Sequence, residues 1–150
     1  MWNYKNKSIY KKVRDNKKVV VHANEDKTKV GSRHYIHAQD VADGLMFILN
    51  LKNYSHKGDF GNAKCPKFNL VGPEEIDNLT LAKMIAKAQN KELIYELVDN
   101  HSLRPGHDLR YSLSPKLLKQ LGWEPKIKLS KRIEEMVNWS LKNKRWLSEN

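Results

Sequence analysis

Residues 103–111, which read LRPGHDLRY, concentrate side chains that could bind a charged ligand. They supply two guanidinium groups, an imidazole, a carboxylate and a phenol, from Arg104, Arg110, His107, Asp108 and Tyr111. Pro105 fixes its φ at about −65°, and Gly106 permits a turn that a residue with a Cβ would resist. Such a loop suits a planar, charged group, whereas residue types alone would also allow an exposed turn with assorted charges.

Guanidinium groups are the natural candidates for a diphosphate ligand, because the Arg fork donates two parallel hydrogen bonds. The chain has 28 basic and 17 acidic residues and a net charge of +11. Most of the basic residues are Lys scattered along the chain, whereas a nucleic-acid surface usually clusters them among stacking aromatic residues. The charge therefore indicates a solvated surface first, and second a field that could attract anionic ligands.

Helices and short strands must position these groups. Periodicity predicts a weakly amphipathic helix over residues 4–16, a largely buried helix over 40–49, and a helix to about Gln89 that Asp77 or Asn78 caps. It also predicts a helix over 114–121 with Ser114 as N-cap and Gly122 as C′ residue, and a final helix capped by Ser130. Predicted strands are 19–21, 33–37, 67–71 and 93–98, and a short strand follows residue 110. Trp123 is expected to fill a core site.

Composition excludes several classes of protein. A chain of 150 residues is expected to form one domain. No apolar run reaches the ~18 residues that a membrane span needs. Cys65 is the only cysteine, which excludes an internal disulfide and favours a reducing, cytoplasmic location. His34 and His37 lie three apart on a predicted strand and would point to opposite faces, so no metal site is predicted.

Three ordered segments resemble one family. The sequence RPGHDLRY, followed by SPKLLKQLGW and Glu124-Pro125, resembles the C-terminal part of sugar-nucleotide 4,6-dehydratases in the extended short-chain dehydrogenase/reductase (SDR) family. Residues 31–40 (GSRHYIHAQD) and 68–84 (FNLVGPEEIDNLTLAKM) resemble two upstream segments of that family, in the same order. The dTDP-glucose 4,6-dehydratases are the closest branch. The resemblance runs from about residue 10 to the end.

The resemblance implies an α/β fold. Residues 1–150 would form one C-terminal, substrate-binding portion, to which 36–71 contribute the last elements of a Rossmann-type sheet. Residues 50–66 would be a loop insertion. The N-terminal dinucleotide-binding part would be absent from this chain.

The resemblance also implies site residues. Arg33 and Arg104 would hold the diphosphate of a nucleoside-diphosphate sugar, while Asn78 and His107 would help to orient it. Pro105, Gly106 and Asp108 would shape the loop, with Arg110 and Tyr111 as its buttress. Residue types alone leave Arg33 as an exposed strand-end Arg and Asn78 as a helix N-cap.

NAD is the cofactor that the family implies, but the residues that serve it are missing here. The sequence contains no G-x-x-G-x-x-G or G-x-G-x-x-G turn, which would let backbone approach a pyrophosphate. It also lacks a Tyr-x-x-x-Lys proton-transfer pair in the family's context. We therefore expect a binding portion that is inactive alone, with a separate N-terminal half as its possible partner, or self-association. The alternatives are a small basic nucleic-acid-binding module and a non-catalytic remnant.

Overall fold

The computed structural model describes residues 4–51, 67–99, 108–143 and 145. Within these ranges the helices are α1 Tyr4–Arg14, α2 Ala38–Leu49, α3 Asn78–Ala88, α4 Lys116–Gln120 and α5 Leu129–Lys142. The strands are β1 Val19–Ala23, β2 Ser32–His34, β3 Glu75–Asp77, β4 Tyr95–Asp99 and β5 Arg110–Tyr111. No helix in the described part of the chain has the length and apolarity needed to cross a membrane.

The main core lies between a two-stranded parallel sheet and three helices. Strand β1 pairs with β4 in a register that joins Val19 to Tyr95 and Ala23 to Asp99. β-Branched residues favour this pleated conformation, and alternate ones turn inward. Helices α1, α3 and α5 supply the rest of the core. The buried apolar cluster consists of Ile9, Tyr10, Val13, Val19, Val21, Leu81, Ala82, Ile85, Ala86, Leu129, Ile133 and Val137.

A second sheet of three short strands, in the order β3-β2-β5, is the framework of the candidate site. Strand β2 lies in the middle, antiparallel to β3 and parallel to β5. Arg33, at the centre of β2, is in register with Ile76 on one side and Tyr111 on the other. Because successive side chains alternate between faces, Arg33 lies on one face and its neighbours Ser32 and His34 lie on the other.

Helix α2 packs closely against Leu70 and Trp123 at Gly44. A Cβ on Gly44 would lie 2.3 Å from Leu70 Cδ2 and 2.7 Å from Trp123 Cζ2, so a larger residue would push the helix off its support. Trp123 is 5% exposed, and its Nε1–H donates to Asp43 Oδ2 at 3.1 Å. The prediction that Trp123 fills a core site is confirmed.

Two sequence predictions about this region were wrong. Residues 67–71 form no strand, because no strand within the described residues pairs with them. Helix α2 is not largely buried: only Asp40 and Gly44 are buried, while Leu45, Met46 and Leu49 are 51%, 58% and 78% exposed. A wide apolar face indicates that a helix packs against other residues, but the described part of this chain does not bury that face of α2.

Several element boundaries also shift. Strand β2 ends at His34, before His37, whose side chain caps α2. The predicted Ser114 cap is displaced, because α4 begins at Lys116 with Pro115 at its N-cap position. Lys128 is the N-cap of α5, so Ser130 lies inside the helix rather than capping it. Gly122 has a φ of 98°, which agrees with its predicted C′ position.

Candidate functional site

Arg33 is the only candidate within the described residues whose buried guanidinium atom lacks a hydrogen-bond acceptor. Its Cζ lies 4.3 Å from the centroid of the Tyr111 ring. Its Nη1 is buried and has no hydrogen-bond partner. Neither register neighbour, Ile76 or Tyr111, carries a carboxylate. A buried donor left unpaired costs about 1–3 kcal/mol, so this atom is suited to an acceptor on a ligand.

Tyr35 and Asn78 form a hydrogen-bonded pair on the Arg33 side of the sheet. The Tyr35 hydroxyl donates to Asn78 Oδ1. Burial raises the pKa of the Tyr35 phenol above its usual value, although the positive charge of Arg33 opposes the rise. The phenol therefore stays protonated and remains the donor. Tyr35 and Ile76 also pack against the main core, which explains why this face is partly closed to solvent.

Asn78 is 4% exposed and is not the N-cap of α3. That position belongs to Asp77, whose Oδ1 accepts from the Thr80 N–H at 2.8 Å. The choice that the sequence left open between Asp77 and Asn78 is thus resolved for Asp77. Asn78 is instead fixed by Tyr35 and by its own backbone N–H, which donates to the Gly31 carbonyl at 2.9 Å. Its amide is held in one orientation beside the strand that carries Arg33.

The opposite face of the same sheet carries a complete ion pair. Arg110 Nε donates to Glu75 Oε1 at 2.8 Å, and Arg110 Nη2 donates to Glu75 Oε2 at 2.7 Å. The Ser32 hydroxyl also donates to Glu75 Oε1, at 2.6 Å. Hydrogen bonds from Arg110 first and Ser32 second lower the pKa of Glu75 to about 2. This pair ties β5 to β3 across β2, which is a structural role.

The remaining predicted site residues divide into two groups. Asp108 is exposed and lies just before β5. Arg104, Pro105, Gly106 and His107 lie outside the described residues. Sequence reasoning did not select Tyr35 or Glu75 for the site. The period-two alternation of β2 could have indicated Tyr35, whereas Glu75 is joined to Arg110 only by the sheet register.

The two histidines considered as a metal pair have other contacts. His34 Nδ1 lies 3.3 Å from the Gly72 carbonyl oxygen. His37 Nδ1 accepts from the Gln39 N–H at 3.2 Å, and burial lowers the pKa of His37, so the neutral ring caps α2. No group of three metal-ligating side chains occurs in the part of the chain that the structure describes.

Comparison with known structures defines the class of fold first. The dTDP-glucose 4,6-dehydratase of Bacillus anthracis, solved in complex with NAD, matches 97% of this chain with a TM-score of 0.69 and 22% identity. The UDP-glucose 4-epimerase of Thermus thermophilus, also solved with NAD, matches 87% with a TM-score of 0.65. These matches cover 42% and 38% of the two proteins. The chain thus has a partial α/β fold like that of these two proteins, as predicted.

Sequence comparison then narrows the class to one branch. A dTDP-glucose 4,6-dehydratase of Escherichia coli is 33% identical over 124 residues, which cover 76% of this chain and 32% of that protein. The resemblance seen in the motifs is confirmed: the chain is related to the dTDP-glucose 4,6-dehydratases, and its extent is consistent with their C-terminal part. The chain spans about a third of the length of the curated relatives it matches. No family model matches it.

Proposed function

We propose that this chain is the nucleoside-diphosphate-sugar-binding portion of an NAD-dependent 4,6-dehydratase or epimerase of the dTDP-glucose type. The similarity to dTDP-glucose 4,6-dehydratases supports the class of ligand. The single observation that carries the proposal is the buried, unpaired Nη1 of Arg33. A diphosphate oxygen would supply the acceptor that this atom lacks, and would neutralise a charge that no described carboxylate contacts.

The remaining site residues would complete recognition around Arg33. Asn78, fixed by Tyr35, would present its amide to the ligand in one orientation. As the resemblance implies, Arg104 and His107 would join them, with Pro105, Gly106 and Asp108 shaping their loop. Partial exclusion of water from this face would strengthen each charge-assisted hydrogen bond relative to an exposed one.

The residues present do not fit an NAD site. The sequence lacks the Gly-rich turn that would accept the pyrophosphate and the Tyr-x-x-x-Lys pair that would move a proton. No hydride-transfer step is therefore assigned to this chain. We expect the purified chain, given NAD and dTDP-glucose, to form no 4-keto-6-deoxy product, and turnover above a buffer blank would contradict this.

Isothermal titration calorimetry with dTDP-glucose tests the binding proposal. Arg33→Ala removes a charge-assisted interaction worth about 1.5–3 kcal/mol, or about ten- to a hundredfold in affinity. Arg33→Lys should recover only part of the loss, because a point charge cannot reproduce the fork. Arg14→Ala is the matched control: it removes the same charge from α1, where Arg14 pairs with exposed Asp15. Equal affinities of Arg33→Ala and wild type would rule out the role.

A second polypeptide segment would complete the fold. The exposed apolar side chains of α2, and residues 67–71, which form no strand, lie where the resemblance places the last elements of a larger parallel sheet. Parallel sheets are normally covered on both faces, and exposed apolar surface favours association. We propose that residues 1–150 act as one C-terminal portion that receives an N-terminal half bearing the dinucleotide site, within one protein or as a partner.

Size-exclusion chromatography and thermal unfolding test the partner proposal. We expect self-association of the chain alone, or a clear rise in its unfolding temperature when the N-terminal half of a relative is co-expressed. A Leu49→Ser variant should reduce either effect, because Leu49 is the most exposed large apolar side chain described on α2. A sharp, concentration-independent transition from a monomer that the N-terminal half does not change would contradict the proposal.

A further inference from the structure

The aromatic ring of Tyr111 lies under the guanidinium of Arg33, and the sheet register explains why. Strands β2 and β5 run parallel, and Arg33 is in register with Tyr111, so the two side chains extend from the same face. The distance of 4.3 Å from Arg33 Cζ to the ring centroid is within the range of a cation–π contact. Tyr111 is 45% exposed, so its ring covers one side of the guanidinium without filling the site.

An aromatic face and a carboxylate orient an arginine with different consequences. A carboxylate accepts from the N–H groups and neutralises the charge, as Glu75 does for Arg110. A ring face contacts the plane of the guanidinium and leaves the N–H donors at its edge, with the positive charge retained. The buried and unpaired Nη1 of Arg33 agrees with the second arrangement.

We propose that Tyr111 is a positioning residue of the ligand site: its ring holds the Arg33 guanidinium by stacking, so that the edge donors face the diphosphate. This inference rests on the proposed function of Arg33. It goes beyond the role expected from the sequence, in which Tyr111 would buttress the loop. Tyr111 acts through Arg33, and its contribution to affinity depends on the charge of that residue.

A double-mutant cycle with dTDP-glucose tests the inference. Tyr111→Ile keeps a strand-forming apolar residue and removes the ring, and we expect it to weaken binding about three- to thirtyfold, the range of a cation–π contact. Tyr111→Phe keeps the ring and should bind within about twofold of wild type. In an Arg33→Ala background, Tyr111→Ile should cause no further loss. Thymidine, which has no phosphate, should respond to neither substitution.

The outcomes separate the two proposals. If wild type does not bind dTDP-glucose, or if Arg33→Ala binds as wild type does, the proposed function fails. If Arg33→Ala weakens binding but Tyr111→Ile does not, or if the two losses add fully, the inference about Tyr111 is overturned alone. Proton NMR of the wild type is independent of how the variants fold: ring-current shifts should move the Arg33 side-chain resonances upfield. Unshifted resonances would also overturn the inference.

Discussion

The two faces of the three-stranded sheet each carry an arginine, and the two arginines have opposite surroundings. On one face Arg110 makes a two-point ion pair with Glu75, although its own side chain is 66% exposed. On the other, Arg33 is partly buried, stacks on Tyr111 and leaves Nη1 without an acceptor. An arginine with a structural role pairs with a carboxylate of the same fold. An arginine kept from every described carboxylate, at a desolvation cost, is suited to an anion from outside.

Arg132 extends the comparison, because all three of its guanidinium nitrogens are paired. Its Nε and Nη2 donate to Asp40, and its Nη1 donates to Gln39 and Glu135, which joins α5 to α2. The side chains of Arg132 and Asp40 are only 9% and 6% exposed. If a fully paired arginine has a structural role and an unpaired one has a binding role, substitution of Arg132 should change stability and not ligand affinity.

The largest effect is therefore expected at Arg132. Arg132→Ala leaves Asp40 buried without its partner, which costs about 3–5 kcal/mol of unfolding free energy. Lys131→Ala, on the exposed side of the same helix, should change stability little. Urea unfolding measures both. If Arg132→Ala loses no more unfolding free energy than Lys131→Ala does, full pairing of an arginine does not indicate a structural role.

A smaller effect is expected at Glu75, on the paired face of the sheet. Glu75→Gln weakens the tie between β5 and β3 and should lower the unfolding temperature less than Arg132→Ala does, because Arg110 is largely exposed. Nucleotide-sugar affinity should fall less than in Arg33→Ala. A larger fall in affinity than in Arg33→Ala would reverse the assignment of the two faces.

The same ion pair predicts an acid dependence of stability. The pKa of Glu75 is about 2 in the folded chain, below its ordinary 4.5, because Arg110 and then Ser32 donate hydrogen bonds to its carboxylate. A lowered carboxyl pKa stabilises the fold fully above the ordinary value, and this stabilisation is lost as the pH falls from about 4.5 through about 2. Thermal unfolding of wild type and Glu75→Gln should therefore converge over that window. A constant difference would contradict the ion pair.

The sequence predicted more of the fold than of the site's chemistry. Periodicity and turn residues predicted the helices α1 and α3, the strands β1 and β4, and the burial of Trp123, because these features follow from local patterns. The motifs selected Arg33 and Asn78. They did not show that Arg33 is unpaired, because pairing depends on which residues the register brings beside it. Glu75 and Arg110 lie 35 positions apart, and only the order β3-β2-β5 joins them.

The errors about α2 and residues 67–71 have one physical cause. Apolar periodicity shows how much of a helix or strand is apolar and favours burial. It does not show whether the described part of the same chain packs against that surface. The exposed Leu45, Met46 and Leu49 show where such packing is missing. The aligned part of the relatives is only about a third of their own length.

The most direct test of the central claim is a paired titration of Arg33→Ala and Arg110→Ala with dTDP-glucose, with thermal unfolding of each variant. We predict that Arg33→Ala loses about ten- to a hundredfold in affinity with little change in unfolding temperature, because it removes a ligand contact. Arg110→Ala should lower the unfolding temperature and weaken binding less. If Arg33→Ala binds dTDP-glucose as tightly as wild type, or if Arg110→Ala loses more affinity than Arg33→Ala, the distinction between the two faces is wrong.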